Sequence, residues 1–351
     1  MSVSSSQSDK GQNAASGASA SPLKLGFVPM FDCAPIAIAH ELGLFDRYDL
    51  QVELSREGDW NAIRDKIYSR QLDASQSIAG MAFALGMGFP ELRCDVAVPL
   101  ILNLHGNAIT LSSRLDPMEI AHGEGLALWL RKHPQLTPLT FATSHPFSSH
   151  HILLRQWLGH QGLNDHPQVK VEFHPAHRMP DLLVDGSIDG FCVGEPWNSK
   201  AVLSGDAWSA ANPRLVDGTS AEKVLLMSGR LLSKRRDEAI RLVAALIESC
   251  RLCQDPDFGE TLVHVLSQRK YTGIAPEVLR HELDGSLLHD GHRRAYNIFH
   301  GEEVNRPTVS RASWVLAGLT SIAALPQITA GSLSRIYRED LYLEALKLCM
   351  S

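Results

Sequence analysis

Short apolar runs alternate with amphipathic stretches along the chain from Leu23 onward. The run LKLGFV is followed by FDCAPIAIAHELGLF, whose apolar residues recur at helical spacing up to Gly43. Further strands are predicted at YDLQVELS, LDASQS, DVAVPLILNL and NAITLS, with helices at GDWNAIRDKIYSRQ and IAGMAFALGMG between them. Asp32 and Asp59 are candidate N-caps of the first two helices. This alternation predicts an α/β lobe with a mainly parallel sheet.

A second series of the same kind begins near residue 114. It predicts a helix over about 117–132, a strand at PLTFATS, a helix at HHILLRQWLGHQG and a strand at VKVEFH. A short helix around 180–184 then leads to the strand SIDGFCV. KVLLMSG is predicted to be a strand that returns to the first lobe, and the chain from Lys234 is predicted to be mostly helical.

The fold prediction is therefore an α/β chain of two lobes with a ligand cleft between them. Lobe 1 is predicted to comprise residues 22–112 and 222–351, the latter with a helical C-terminal part, and lobe 2 residues 113–221. Residues 1–21, rich in Ser, Ala and Gly, are predicted to form a disordered tail.

Composition narrows the class of protein. With 44% hydrophobic and 21% charged residues, the chain is typical of a globular protein. A net charge of −6 and the lack of a Lys/Arg run argue against direct nucleic-acid binding. No apolar run reaches the roughly 18 residues of a membrane span, and no apolar core of a secretory signal is found near the N-terminus. Cytoplasmic localisation and reduced cysteines are therefore expected.

Motifs of catalysis are missing from the sequence. There is no G-x-G-x-x-G, P-loop, H-E-x-x-H or G-x-S-x-G pattern. Cys250 and Cys253 form a C-x-x-C inside a helical pattern, which we interpret as one turn of a core-facing helix. His145, His150 and His151 lie close together without a cysteine or carboxylate at ligand spacing. The sequence favours binding over catalysis, and no catalytic residue, metal site or cofactor is predicted.

Several polar or aromatic residues lie just after a predicted strand or at the start of a predicted helix, where α/β lobes hold ligands. They are Trp60, Gln76, His105, Asn107, His150, Gly194, Glu195, Trp197 and Lys223. Each has an ordinary explanation alone, such as a core aromatic or a surface charge. Their shared position favours a common site. The junction GFCVGEPWNSK adds a possible anion site, because the first N–H groups of a helix have no internal partner.

The segment LGFVPMFDCAPIAIAHELGLFDRYDLQVELSREGDWNAIRDK resembles the nitrate/bicarbonate-binding protein family (NrtA/CmpA) of ABC transporters. NLHGNAI, SHHILLRQWLGHQGL, GSIDGFCVGEPWN, AEKVLLM and NRPTVSRASWVL resemble later motifs of that family in the same order. The resemblance implies a periplasmic-binding-protein-like type II fold with the anion between the lobes. The nitrate contacts that it implies are Trp60, Asn107, His150, Gly194 and Lys223. Gln76, His105, Glu195 and Trp197 are expected around them. At Asn107 the family commonly has glutamine.

The chemistry of these residues suits nitrate, which accepts hydrogen bonds and donates none. Bicarbonate binders of the family look acidic where this chain has Lys223, and bicarbonate needs an acceptor for its O–H. Nitrate or nitrite is therefore the predicted ligand, and, with no anionic acceptor expected in the site, bound calcium is not expected. Gly194 is expected to let the backbone approach the anion and Glu195 to point away from it. Pro196 is expected to fix the first helical turn and Trp197 to pack the junction.

Without an export signal or an ATPase domain, the sequence resembles the cytoplasmic nitrate/nitrite sensors of the NasS type. That resemblance implies a protein that is not an enzyme and holds an RNA-binding antiterminator, a NasT-like ANTAR protein, until nitrate or nitrite binds. It would thereby regulate nitrate assimilation without contacting nucleic acid or membrane itself. One alternative is the solute-binding component of an ABC transporter. Another is an enzyme like the thiamine-pyrimidine synthases, whose cysteine-rich motif does not occur here.

Overall fold

A computed structural model describes most of the chain. The described residues are 21–120, 125–136, 138–163, 165–211, 221–284, 297–301, 303–325 and 333–350. The predicted tail, residues 1–21, lies outside them apart from its last residue. In the described part of the chain, no helix is long and apolar enough to cross a membrane.

The described strands form two separate sheets, one in each lobe. The strands are β1 (Leu23–Phe27), β2 (Val52–Arg56), β3 (Ala74–Ile78), β4 (Val96–His105), β5 (Asn107–Ser112), β6 (Leu139–Thr143), β7 (Val169–Phe173), β8 (Gly190–Gly194), β9 (Ala207–Ala211), β10 (Ala221–Ser228) and β11 (Asn297–Ile298). The lobe 1 sheet has the order β11-β4-β10-β3-β1-β2, and the lobe 2 sheet has the order β7-β6-β8-β5-β9.

Helices cover the faces of both sheets. They are α1 (Ala34–Glu41), α2 (Leu44–Arg47), α3 (Trp60–Tyr68), α4 (Ala79–Met87), α5 (Pro117–Ile120), α6 (Gly125–Lys132), α7 (Ser149–His160), α8 (Met179–Val184), α9 (Trp197–Leu203), α10 (Gly229–Lys234), α11 (Arg236–Gln254), α12 (Gly259–Leu266), α13 (Pro276–Asp284), α14 (Val309–Ser321), α15 (Leu333–Ile336) and α16 (Glu339–Leu348). The helix predicted over 117–132 is thus described as α5 and α6, and residues 121–124 between them lie outside the described part.

Both sheets are mixed. In lobe 1, β1 pairs in parallel with β2 and β3, while β10 runs antiparallel to β3 and β4. In lobe 2, β6 pairs in parallel with β7 and β8, while β5 runs antiparallel to β8 and β9. Each parallel set is joined through helices, as the alternating sequence pattern predicts. The predicted two-lobed α/β fold is confirmed, with more antiparallel pairing than expected.

The chain first crosses between the lobes at Gly106, between β4 and β5. Gly106 has a φ of +91°, and a Cβ there would lie 2.2 Å from Oδ1 of Asn297. Residues 107–112, which were predicted in lobe 1, therefore belong to the lobe 2 sheet. Both flanking strands, β4 and β5, are buried along their length. The burial pattern therefore does not change where the chain passes from the lobe 1 sheet to the lobe 2 sheet. The return crossing brings β10 back beside β3, as predicted for KVLLMSG.

The described residues form three apolar cores. One lies in lobe 1 around α1 and α11, and it contains Cys250 and Cys253. Their burial confirms the interpretation of the C-x-x-C as a core-facing helical turn. A second core lies in lobe 2 around α7, and a third contains residues of both lobes, Trp60 and Trp197 among them. The lobes are therefore packed against each other across the cleft.

The C-terminal helices contact both lobes. Helix α14 packs against α4 of lobe 1 and α7 of lobe 2. A Cβ on Gly318 of α14 would lie 2.8 Å from Cδ1 of Ile152 in α7, so glycine permits this close approach. Helix α13 also contacts both lobes, because it packs against α12 of lobe 1 and α9 of lobe 2. The helical C-terminal part was predicted to belong to lobe 1, and the structure shows that it also spans the cleft.

Candidate functional site

A buried lysine lies where the two lobes meet. Lys223 has no exposed surface, and its Nζ lies 2.9 Å from Oδ2 of Asp32 and also donates to Glu222. The same ammonium lies 5.4 Å from the ring centroid of Trp60 and 3.5 Å from Nε2 of His150. Burial acts to lower the pKa of Lys223, but the two carboxylates outweigh it and raise the pKa. Lys223 is therefore held as a cation.

Glu222 is the acceptor on which the donors of both lobes converge. Its carboxylate accepts from Nδ2 of Asn107 at 2.5 Å, from Oγ of Ser149, from Nε2 of His150 at 2.8 Å and from Lys223. The first three donors belong to lobe 2, whereas Glu222 and Lys223 belong to lobe 1. Burial acts to raise the pKa of Glu222, but Lys223 and His150 hold it well below its usual range. An ionised carboxylate thus bridges the lobes.

A β-bulge explains why two neighbouring side chains share this site. Successive side chains of a strand normally point to opposite faces. In β10, however, Ala221 pairs with Leu104 and Lys223 with Asn103, so Glu222 is an extra residue without its own partner in β4. The backbone N–H of Lys223 donates instead to Oδ1 of Asn103 at 3.1 Å. The bulge brings Glu222 to the same side as Lys223.

Asp32 supplies the second carboxylate and corrects one prediction. It was expected to cap the first helix, but α1 begins at Ala34, and the structure gives it no side-chain cap among the described contacts. Asp32 lies instead in a short 3₁₀ turn after β1, and its Oδ1 accepts from Nε2 of Gln76. Oε1 of Gln76 in turn accepts from the backbone N–H of Val28 at 3.0 Å. Pairing with a buried lysine outweighs the weaker gain of a cap.

The start of helix α7 orients the histidine of the site. Ser148 caps the helix and accepts from the backbone N–H of His151. In the first turn, Nδ1 of His150 lies 2.7 Å from Oγ of Ser144. Because an ionised carboxylate only accepts, Nε2 of His150 must carry the proton that is shared with Glu222. His151 points elsewhere, with its Nδ1 3.0 Å from the carbonyl oxygen of Pro146.

Gly194 lies beside the charged cluster at the end of β8. A Cβ at this position would lie 2.8 Å from Cε of Met30, 3.4 Å from Oδ1 of Asn107 and 3.5 Å from Oδ2 of Asp32. A side chain here would therefore press into the site. The next N–H, that of Glu195, donates to the carbonyl oxygen of Gly106 at 3.2 Å, so this N–H is already engaged.

The remaining residues of the GEPWN junction shape the surroundings. The Glu195 side chain accepts from the backbone N–H of Ser199 at 3.0 Å, and burial raises its pKa to about 7. Helix α9 begins at Trp197, so Pro196 precedes the helix instead of forming its first turn as predicted, and the peptide bond before it is cis. Trp197 packs edge-on against His177, with ring centroids 6.3 Å apart, which agrees with its expected packing role.

His105 lies at the crossing between the lobes rather than in a strand interior. It has a φ of +61°, its carbonyl oxygen accepts from Nδ2 of Asn103 at 3.3 Å, and its backbone pairs with Asn297. This placement sets the position of Asn107, two residues later. His105 is thus placed to support the geometry of the crossing.

The structure brings together most of the predicted site residues, and it adds four that the sequence analysis missed. Trp60, Asn107, His150, Gly194 and Lys223 surround one cluster, with Gln76 behind Asp32. The missed residues are Asp32, Glu222, Ser149 and Ser144. The expectation that the site lacks an anionic acceptor is wrong, because two carboxylates contact Lys223. The argument from Lys223 against bicarbonate and calcium therefore fails. Within the described ranges, no group of three or more His, Cys, Asp or Glu side chains is placed to hold a metal ion.

A cavity of about 320 Å³ opens between the lobes next to the cluster. Asp59 and Arg64 line it from lobe 1, and Ser144, His145 and Phe147 line it from lobe 2. Ser144 is also the partner of the His150 ring, so the cavity reaches the rear of the site. The donors Lys223, His150 and Asn107 do not line this cavity and are buried behind it.

Comparisons with known proteins show the family of this chain. Residues 16–267 match the model of the NMT1-like family. The nitrate import ATP-binding protein NrtC of Synechocystis sp. is 32% identical over 339 residues, which cover 93% of this chain and 50% of that protein. The bicarbonate transport ATP-binding protein CmpC of the same organism is 32% identical over 321 residues, which cover 87% of this chain and 46% of that protein. The chain spans about half the length of these relatives.

Among solved structures, the periplasmic nitrate-binding protein NrtA from Synechocystis PCC 6803 has a similar fold. The TM-score is 0.86 with 22% sequence identity, and the match covers 93% of this chain and 88% of that protein. The periplasmic-binding-protein-like fold expected from the sequence motifs is thereby confirmed.

Proposed function

The chain belongs to the NMT1-like family and is similar to nitrate import and bicarbonate transport proteins, and from this premise we propose that it binds nitrate or nitrite between its two lobes. The observation that carries the proposal is the convergence of donors from both lobes on one acceptor. Lys223 comes from lobe 1, whereas Asn107 and His150 come from lobe 2. Charge-assisted donors of this kind are the groups that recognise small oxyanions.

The donor set fits the chemistry of nitrate. Nitrate is planar and carries one negative charge, so it needs several donors and one cation in a small volume. Lys223 supplies the cation, and Asn107, Ser149 and His150 supply directed N–H and O–H groups. Trp60 supports the proposal by covering the ammonium with a flat aromatic face.

We propose further that anion binding is read out as a change in the angle between the lobes. A ligand held by donors from both lobes binds the closed arrangement more tightly, and it therefore shifts the population toward closure. Helices α13 and α14 pack on both lobes, so a change in that angle would alter the surface that they present. On this basis we propose a cytoplasmic sensor whose partner is a NasT-like antiterminator. The solute-binding component of an ABC transporter would use the same site.

Isothermal titration calorimetry tests the ligand. Nitrate, nitrite, bicarbonate and methanesulfonate should be titrated into the chain, into Lys223→Met and into Lys234→Met, in which an exposed lysine of α10 is replaced. We expect nitrate or nitrite to bind the parent chain and Lys234→Met but not Lys223→Met. No binding of either anion at millimolar concentration would refute the ligand, and binding of bicarbonate alone would replace it.

Copurification tests the partner. A co-expressed antiterminator of the ANTAR class should copurify with the chain in the absence of nitrate and dissociate when nitrate is added. An antiterminator that never copurifies would rule out the sensor role and leave the transporter component as the remaining function.

A further inference from the structure

Every side-chain donor that contacts Glu222 is a group that an external anion would need. Asn107 donates through Nδ2 at 2.5 Å and His150 through Nε2 at 2.8 Å, and Ser149 and Lys223 donate as well. A carboxylate resembles nitrate, because both are planar, carry one negative charge and present acceptor oxygens. The site therefore already holds an anion, and that anion is part of the chain.

The local backbone is shaped for this arrangement. The bulge at Glu222 turns its side chain toward Lys223 instead of toward the opposite face of the sheet. Glu222, Lys223 and His150 have no exposed surface. A carboxylate that merely balanced the charge of Lys223 would need no lobe 2 donors, since Asp32 already lies 2.9 Å from that ammonium. The three donors of lobe 2 indicate a second role.

We propose that Glu222 is a tethered anion that competes with the external ligand, so that nitrate or nitrite binds only by displacing its carboxylate from the shared donors. The inference rests on the proposed function. This competition makes Glu222 the residue that sets how tightly the site binds an external anion. With Glu222 seated, a lobe 1 carboxylate occupies the lobe 2 donors that an external anion would use.

The charges around Glu222 favour an external anion that displaces its carboxylate over one that binds beside it. The charged or titratable groups that face it are Lys223, His150, Asp32 and the thiol of Cys192. Lys223 and the ionised Glu222 already form an ion pair, so an added anion would bring an unpaired negative charge into a buried site. Such a charge is costly unless it is paired. When the anion replaces the Glu222 carboxylate at the donors, the number of negative charges beside Lys223 stays the same.

The test is the nitrate affinity of Glu222→Gln, measured by titration calorimetry on the full chain. Glutamine keeps the size of the side chain but loses the charge, so it competes weakly for Lys223. We expect nitrate or nitrite to bind at least about tenfold more tightly than to the parent chain. Glu57→Gln is the matched control, because Glu57 is a buried carboxylate that pairs with Lys66 at 2.7 Å outside the cluster. It should leave the affinity unchanged.

A second variant keeps the test decisive if Glu222→Gln does not fold. Glu222→Asp retains the charge but shortens the reach to the donors of lobe 2, and it should also bind nitrate more tightly than the parent chain. Equal or weaker nitrate binding by the folded Glu222 variants, with binding by the parent chain intact, would overturn the tethered anion and leave the proposed function standing. No nitrate or nitrite binding by the parent chain at millimolar concentration would instead refute the proposed function.

Discussion

Replacing Lys223 with methionine tests whether the centre of the molecule depends on one buried positive charge. Methionine keeps much of the side-chain volume but leaves Asp32 and Glu222 without their ammonium partner. Asp32 is 2% exposed and Glu222 is fully buried, so water cannot take the place of the lysine. Removing one partner of a buried ion pair typically costs about 3–5 kcal/mol. We expect the free energy of unfolding to fall by about this much at pH 7, a large share of the roughly 5–15 kcal/mol of a typical domain.

The loss should depend on pH in a defined direction. In the parent chain the pKa of Glu222 is lowered, so its contribution to stability is present at neutral pH and is lost as the pH falls through the folded pKa. In Lys223→Met, burial is no longer opposed by the ammonium, so the carboxyl pKa values should rise above those of the unfolded chain. That variant then gains stability as the pH falls. The difference between the two proteins should therefore be largest near pH 7–8 and shrink toward about pH 4.

Urea unfolding at several pH values measures this difference. Lys234→Met, which replaces an exposed lysine, is the control and should be within about 0.5 kcal/mol of the parent chain. The double variant Lys223→Met/Glu222→Gln removes both members of a pair and should recover part of the loss. A loss below about 1 kcal/mol at pH 7, or one that does not change with pH, would refute the reasoning.

Three further changes test the surroundings of the cluster. Gly194→Ala would place a Cβ 2.8 Å from Cε of Met30 and next to the donors. Nitrate affinity measured by calorimetry should therefore fall about tenfold, while the melting temperature should change little. An unchanged affinity would contradict this placement of Gly194. Asp59→Ala removes the cap that accepts from the backbone N–H of Ala62 at 2.9 Å, and urea unfolding should show a loss of about 1 kcal/mol; no measurable loss would mean that the cap contributes nothing. Burial raises the pKa of Glu195 to about 7, above its unfolded value, so the parent chain should lose up to about 3 kcal/mol of stability between about pH 4.5 and pH 7. Glu195→Gln should remove that decline and be the more stable protein at pH 8; an identical pH profile would show that Glu195 does not titrate in this range.

The order of elements could be predicted from the sequence because local signals agreed with the tertiary structure. Asp59 caps α3 as its position before an amphipathic run predicts. Trp60 and His150 were found without knowledge of contacts, because each lies at the start of a helix that follows a strand, at the edge where α/β lobes hold ligands. Lys223 was placed near the same edge, although it lies inside β10. Asn107 belongs to the same edge. The residues that supply the hydrogen-bond donors of the site could therefore be predicted.

The acceptors of the site could not be predicted for physical reasons. Glu222 precedes Lys223 in a strand, and regular alternation would place their side chains on opposite faces. A bulge, which has no reliable sequence signal, reverses this expectation. Asp32 had a plausible local role as a helix cap, and only the tertiary structure shows that a buried lysine competes for it. Gly106 marks the crossing between lobes without any change in hydrophobicity around it.

A crystal structure of the chain grown with nitrate tests the central claim most directly. The account predicts a planar anion between the lobes, within hydrogen-bond distance of Nζ of Lys223, Nε2 of His150 and Nδ2 of Asn107, with the Glu222 carboxylate turned away from those donors. Nitrate bound elsewhere, or no bound nitrate while Glu222 keeps all of its donors at saturating concentration, would contradict it.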